Sequence, residues 1–397
     1  MVTTISPDRL AELQDEDADF VLVDTRPEDS YESWHVSGAV HFPFGSEEEL
    51  DGKLEDLQDV VGDTDRVIAI CAKGISSSNL ATRLESATDE FDVAAVEGGM
   101  KGWSGVYDRA EVNVGEGVTI VQLQRRAKGC LGYLVGCAET GEAVVVDPTA
   151  DTDEYEAAAE EANLTITGVI DTHVHADHIS GGRQLADDLD VPYYLGEHAS
   201  ERDVEREYTL LEHNKVFSVG DRELKALHTP GHTSEMISLL VDDRALLTAD
   251  TLHVDSTGRT ELEFRGSEAR SASEDASGET ASRGEGEKGA RMLYETLHRT
   301  VLTEPESLVV LPGHVTVTAD GEFEHGAPGE PIRTTIRDAR TGIDLLGLAE
   351  DAFVDRMADA GEKPSNYEEI IEFNRGVTAI PPEDRVELEL GPNNCSA

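Results

Sequence analysis

Two hydrophobic rhythms divide the chain. Up to about residue 106, the short apolar runs Phe20-Val21-Leu22-Val23, Val67-Ile68-Ala69-Ile70 and Val93-Ala94-Ala95-Val96 alternate with helical patterns. Strands that alternate with helices predict a small parallel α/β domain over 1–106. Beyond a polar link at 107–114, Val118 to Leu123, Tyr133 to Val135 and Ala143 to Val146 follow one another without helices, closing at Asp147-Pro148. The change of rhythm predicts a second domain over 115–330. Within it, Asp153 to Ala162 reads as a helix and Ile166 to Ile170 as a strand, with β/α alternation continuing through Val216 to Leu227, Ile237 to Val241 and Ala245 to Thr248. Residues 266–289 are almost wholly Ser, Gly, Glu, Ala and Arg, which predicts a mobile low-complexity insertion. Residues 331–397 finish the second domain with helical patterns around Arg337 to Leu348 and Tyr367 to Asn374.

Charge narrows the choice of partners. The chain carries 83 acidic against 32 basic residues, a net −51, yet 38% of it is hydrophobic and periodic, so it reads as a folded protein with a carboxylate-coated surface. Such a coat repels nucleic acid and anionic lipid, so neither is an expected partner. It is similar to the surfaces of proteins from salt-loving archaea, which implies poor folding in dilute buffer. No stretch has the length of a membrane-spanning helix, and Met1 to Pro7 lacks the basic and apolar regions of a signal peptide, so a cytoplasmic location is expected. Four scattered cysteines form no disulfide framework. Cys130 and Cys137 lie in apolar strand patterns and read as core, while Cys395, three residues from the end, reads as exposed.

Cys71 follows the strand Val67 to Ile70 and precedes a helical stretch, Ser77 to Leu84. Loop amides and a helix N-terminus then point at its sulfur and lower its pKa, a nucleophile's position. Four segments share an order and spacing: Asp24-Thr25-Arg26, Trp34 to Ala39, the loop from Cys71 to Ser76, and Glu97 to Trp103. Together they resemble the rhodanese family, which implies that Cys71 carries a persulfide and passes sulfane sulfur on. Many active rhodaneses end this loop with arginine. Here Ser76 stands instead, leaving Lys73 as the loop's one cation and making a persulfide, rather than thiosulfate, the expected donor.

The densest chemistry lies in Thr172-His173-Val174-His175-Ala176-Asp177-His178, directly after the apolar Val169-Ile170. Four metal-capable side chains in six positions make a half-built metal site. His232 in Thr229 to Thr233, Asp250 in Thr248 to Thr251 and His314 in Pro312 to His314 each follow an apolar strand pattern, where the loops of an α/β sandwich converge. His198, His213, His228 and His253 lack such context and read as ordinary polar residues, with a supporting role open to His228. The order of the seven residues resembles the metallo-β-lactamase superfamily and implies an αββα sandwich after the rhodanese-like domain.

Two chemistries fit that resemblance. In glyoxalase-II-like hydrolases two zinc or other metals share Asp250, one also held by His173, His175 and His232, the other by Asp177, His178 and His314, and they cleave thioesters. In persulfide dioxygenases one Fe(II) is held at the positions of His173, His232 and Asp250, while His175, Asp177, His178 and His314 support the ligands from behind. Leu252 to Glu263, with its Gly258-Arg259, and the tail Lys363 to Tyr367 through Asn374-Arg375-Gly376 resemble the dioxygenases. A sulfur-carrying neighbour also suits persulfide chemistry better than thioester cleavage. The expected activity is therefore oxidation of a low-molecular-weight thiol persulfide by O2 to sulfite, coupled to sulfur transfer at Cys71. Arg259 is a candidate for anchoring the substrate's carboxylate, with a surface salt bridge as its alternative. The sequence leaves the oligomeric state open, and a homodimer is one assembly that the resemblance allows.

Overall fold

The computed structural model describes residues 3–50, 52–260, 262, 278–358 and 366–392. Strands β1 (Thr3–Ile5), β2 (Val21–Asp24), β3 (Ala39–His41), β4 (Arg66–Ile70) and β5 (Asp92–Val96) form one parallel sheet in the order β1-β5-β4-β2-β3. Neighbours along a strand point to opposite faces. Leu22, Ile68 and Ile70 enter one core with Leu10, Met100 and Trp103, whereas Val23, Val67 and Ala69 enter another with Leu57, Leu80 and Leu84. Helices therefore cover both faces, and the central strands read as continuous apolar runs. Strands β1 and β3, of three residues each, were too short to show a rhythm.

The second domain stacks two sheets. Strands β6 (Tyr107–Glu111), β7 (Val118–Arg125), β8 (Leu131–Cys137), β9 (Glu142–Val146), β10 (Thr165–Ile170), β11 (Tyr193–Gly196) and β12 (Thr209–Leu211) make a seven-stranded sheet in sequence order. Strands β13 (Val216–Val219), β14 (Arg222–His228), β15 (Ile237–Val241), β16 (Ala245–Ala249), β17 (Val309–Pro312) and β18 (Thr334–Thr335) make a six-stranded one. Alternation again sorts the side chains. Leu131, Tyr133, Val135, Leu239 and Leu247 fill the space between the sheets, Leu134 and Val145 face the helices Thr152–Glu161 and Gly182–Leu189, and Leu240, Leu246 and Val310 face the helices beyond the other sheet. The result is an αββα sandwich following a parallel α/β domain.

Three local expectations change. Residues 107–111, expected in the linker, form β6 at the edge of the larger sheet; only Ala110 of that strand is buried, so hydrophobicity did not mark it. Val216 to Leu227 is a hairpin, β13 and β14, turning at Gly220 with φ +56°. The insertion expected over 266–289 is not all loop: 278–289 belong to the helix Gly278–Arg299, which docks through Ala290, Leu293 and Leu297, while 266–277 lie outside the described residues. A few apolar residues at helical spacing anchor it, and Glu, Ala and Arg readily extend it.

The domains meet through two buried arginines. Arg126 pairs with Asp15 and Asp108, Arg125 donates to the Ser104 carbonyl, and Ala127 packs in the first domain's core beside Trp103. Near the end of the chain, the helix Pro382–Leu388 returns to this junction. Among the described residues no helix is long and apolar enough to cross a membrane.

Candidate functional site

Four strand ends deliver the metal-type residues to one point. His173 to His178 follow β10, His232 follows β14, Asp250 follows β16 and His314 follows β17. The approach is close. A Cβ on Gly258 would stand 2.2 Å from the Asp250 carbonyl and 3.0 Å from His232 Nδ1, and one on Gly313 would meet Asp250 Oδ1 at 2.8 Å, so only glycine fits at either position. Ala249 takes φ +44°, an unusual value for a residue with a Cβ, immediately before Asp250.

Three buried atoms with no hydrogen-bond partner converge there: His173 Nε2, His232 Nε2 and Asp250 Oδ2. The carboxylate oxygen lies 3.8 Å from His173 Nε2 and 3.4 Å from His232 Nε2. Buried polar atoms normally find partners, so three orphans at one point fit a divalent cation. The other end of each group is held. His173 Nδ1 sits 2.9 Å from Thr172 Oγ1, His232 Nδ1 donates to the Arg259 carbonyl at 2.6 Å, and Asp250 Oδ1 receives His314 Nδ1 at 2.5 Å and His253 Nε2 at 3.3 Å. Such contacts fix ring orientation and tautomer. Burial pushes His173 and His232 below the usual histidine pKa, favouring the neutral, ligating form. Burial would raise Asp250, but the charge of His314 and hydrogen bonds from His253 and His314 hold it well below the carboxylate range.

His175 divides its two ring nitrogens: Nδ1 is buried without a hydrogen-bond partner, in a ring whose centroid lies 4.1 Å from that of His173. Nε2 of His175 is turned to Asp147 Oδ1 at 3.2 Å, in a group with Asp147 and Asp171 rather than with Asp250. Asp177 Oδ2 gathers His178 Nδ1 at 3.0 Å and His314 Nε2 at 2.9 Å, and Cys130 Sγ stands 3.6 Å from the same oxygen. Cys130, Asp177, His178 and His314 form a second cluster that could hold a metal. Burial raises the Cys130 thiol, yet the neighbouring His178 and hydrogen bonds from His178 and His314 bring it down to about 7.

Several of these residues had no signal in the sequence. Cys130, read as core, is buried as expected but faces the metal-type cluster, and His253, read as ordinary, bonds an aspartate of the centre. Glu235 accepts Val174 N at 2.8 Å and Arg202 Nη1 at 2.9 Å, bracing the chain between His173 and His175. The Asn374 amide donates to the carbonyls of His175 and His178 and accepts from Ser180 N, and Glu389 accepts from Ile179 N while pairing with Arg125. These partners lie 61 to 210 positions away along the chain, beyond the reach of any local pattern. Arg259 is buried, 3% exposed. His228 bonds the Ser234 carbonyl and stacks on His198, outside the metal-capable clusters.

The Cys71 centre is built largely from one loop. Cys71 Sγ receives Gly74 N at 3.1 Å and Ser77 Oγ at 3.2 Å, and the Cys71 carbonyl accepts Met100 N at 2.7 Å. Burial alone would raise the thiol. Hydrogen bonds from the Ser76 and Ser77 hydroxyls, and from the Ser77 and Lys73 backbone, outweigh it and leave the pKa below that of an ordinary cysteine. Lys73 is turned to Glu387, its Nζ 2.6 Å from the carboxylate. A cavity of about 710 Å³ opens before the sulfur.

The fold agrees with the families that match. Residues 6–105 match the rhodanese-like domain and residues 125–314 the metallo-beta-lactamase superfamily, whose members are metal-dependent enzymes. The chain is thus a rhodanese-like domain followed by a metallo-beta-lactamase domain. It is similar to the mitochondrial persulfide dioxygenase ETHE1 of Bos taurus, 25% identical over 210 residues, covering 52% of this chain and 72% of that protein. It is also similar to a hydroxyacylglutathione hydrolase of Rhodospirillum rubrum, 33% identical over 130 residues and 32% of this chain, of whose length it spans about half, 49%. The crystal structure of ETHE1 from Myxococcus xanthus superposes with a TM-score of 0.52 at 25% identity, over 64% of this chain and 97% of that one.

Proposed function

We propose that the chain oxidises a low-molecular-weight thiol persulfide with O2 and that its rhodanese-like domain handles the sulfane sulfur through Cys71. One persulfide, one O2 and one water give the thiol, sulfite and two protons. The observation that carries this reading is the donor set: the orphaned atoms of two imidazoles and one carboxylate, His173, His232 and Asp250, gather in one group from which His175 is absent. Fe(II) held by His173, His232 and Asp250 would supply open positions at which substrate sulfur and O2 react.

The chain's own residues prepare that site. Asp250 is kept ionised by His314 and His253, and Thr172 and Arg259 hold the two histidines in one tautomer. The site is buried, which strengthens these contacts and keeps bulk water from the reacting sulfur. Arg259, buried one residue after Gly258, is the candidate for the carrier's carboxylate.

A second reading rests on the cluster of Cys130, Asp177, His178 and His314, which suits a second cation and hence a dinuclear hydrolase of thioesters. Metal content and oxygen uptake separate the two. About one iron per chain, with O2 consumed when persulfide is added, supports the dioxygenase; about two metals per chain, thioester cleavage and no oxygen uptake would overturn it.

A further inference from the structure

The pocket before Cys71 speaks to the kind of sulfur donor it takes. Its volume of about 710 Å³ falls in the range of small-molecule sites, and Pro27, Pro43, Phe44 and Ile75 give it apolar walls, with Ile75 65% exposed at the mouth. Three cations line it, and each is already matched by a carboxylate. Arg26 Nη2 lies 2.7 Å from Asp24, Lys53 is paired with Glu48, and Lys73 Nζ lies 2.6 Å from Glu387. Glu387 is not part of this domain. It comes from the helix Pro382–Leu388 of the metal domain's tail, and the same carboxylate oxygen also stands 3.6 Å from Lys101 Nζ.

We infer that the Cys71 site takes an organic persulfide with no excess negative charge in preference to a small dianion such as thiosulfate, and that Glu387 is the residue that sets this preference. The inference rests on the proposed sulfur-transfer role of Cys71 and is independent of the chemistry at the metal centre. Thiosulfate would fill little of the pocket, and the lining cations that could attract its two charges are already engaged. The Gly74 amide and the Ser77 hydroxyl are aimed at Sγ and accommodate one negative charge on sulfur. An organic persulfide R–S–SH needs no more than that. The Cys71 thiolate attacks the outer sulfur, the Sγ–S bond forms as the inner S–S bond breaks, and RS⁻ leaves and takes up the persulfide proton. Cys71–S–S⁻ remains in the loop. No oxidant or reductant enters, because the sulfane sulfur only changes partner.

The test uses the full chain, with cysteine persulfide or thiosulfate as donor, cyanide as acceptor, thiocyanate as the readout, and the Cys71→Ser background subtracted. The ratio of kcat/KM for the two donors should favour cysteine persulfide in the parent chain. Glu387→Gln should move that ratio towards thiosulfate by about tenfold at about 0.2 M KCl, and by roughly twofold or less at about 2 M, where the charges are screened. Glu387→Lys should move it further in the same direction. A parent chain that prefers thiosulfate would overturn the inference. So would a Glu387→Gln chain that loses both donors equally, since the glutamate would then only hold the tail in place. Oxygen uptake with added persulfide tests the metal centre separately, so the two readings can fail independently.

Discussion

At Cys71 a single loop and the first turn of the helix after it supply the Gly74 amide and the Ser77 hydroxyl to the sulfur, and the site opens into a wide pocket. At the candidate metal centre three donors arrive from three strand ends, each is held from behind by another side chain or a carbonyl, and the whole is buried. The difference follows from what each site must hold. A lone sulfur anion is stabilised by dipoles that a single turn can aim, whereas a metal ion needs several donors converging from different directions. It also sets their vulnerabilities. The loop should tolerate damage elsewhere in the chain, while the metal centre depends on remote residues such as Asn374 and Glu389.

The sharpest way to break this comparison is to remove one member from each centre. Asp250→Ala takes away one of the three converging donors and the Oδ1 that His314 Nδ1 and His253 Nε2 contact. Bound metal should fall below about a tenth of the parent level, and oxygen uptake by ~100-fold or more, with Cys71-dependent thiocyanate formation kept within about twofold. Cys71→Ser should do the reverse, abolishing sulfur transfer while added persulfide is still oxidised. Metal analysis, an oxygen electrode and the thiocyanate assay read all of these outcomes. If either variant lost both activities without unfolding, the two centres would not be separable.

Asn374→Ala asks whether the tail positions the metal loop. Its amide holds two carbonyls and one N–H of the 175–180 segment. Losing all three contacts should weaken metal binding by about tenfold to 100-fold, the usual cost of removing a group that supports a ligand. Competition with a chelator measures it, and Asn374→Asp should recover part of the loss by still accepting from Ser180 N. Unchanged metal affinity would show that the loop holds itself.

The same contrast decides what the sequence made legible. The Cys71 site lies within a few consecutive residues, so the strand, the loop and the helix that follows were all readable from Val67 to Leu84; the pairing of Lys73 was not, because Glu387 lies 314 positions away. In the metal domain the periodicity marked the strands whose ends carry His173, His232, Asp250 and His314. It could not tell that His175 turns to Asp147, that Cys130 faces Asp177 or that Arg259 is buried. Those facts depend on how separate strand ends meet. The edge strand β6 and the helical part of 278–289 escaped for a different reason. Both are mostly polar and are held by pairing or by a distant apolar anchor, and neither leaves a hydrophobic rhythm.

The smallest effect expected tests whether the loop, rather than the pocket's cations, tunes Cys71. Its thiol is held below the ordinary cysteine value by hydrogen bonds that stabilise the thiolate, so the reactive form persists to lower pH than in a free thiol, near 8.5. The rate of alkylation by iodoacetamide should therefore rise with pH through a midpoint below that of free cysteine. Ser77→Ala removes one donor at 3.2 Å, which stabilised the anion alone, so the midpoint must move up. At about pH 7 the variant should react roughly twofold to tenfold more slowly, the worth of one such hydrogen bond. Above both midpoints, near pH 10, the thiolate is fully formed in either chain and the rates should converge. A difference that persisted there would mean that Ser77 controls access to the sulfur, and the tuning would then have to come from outside the loop.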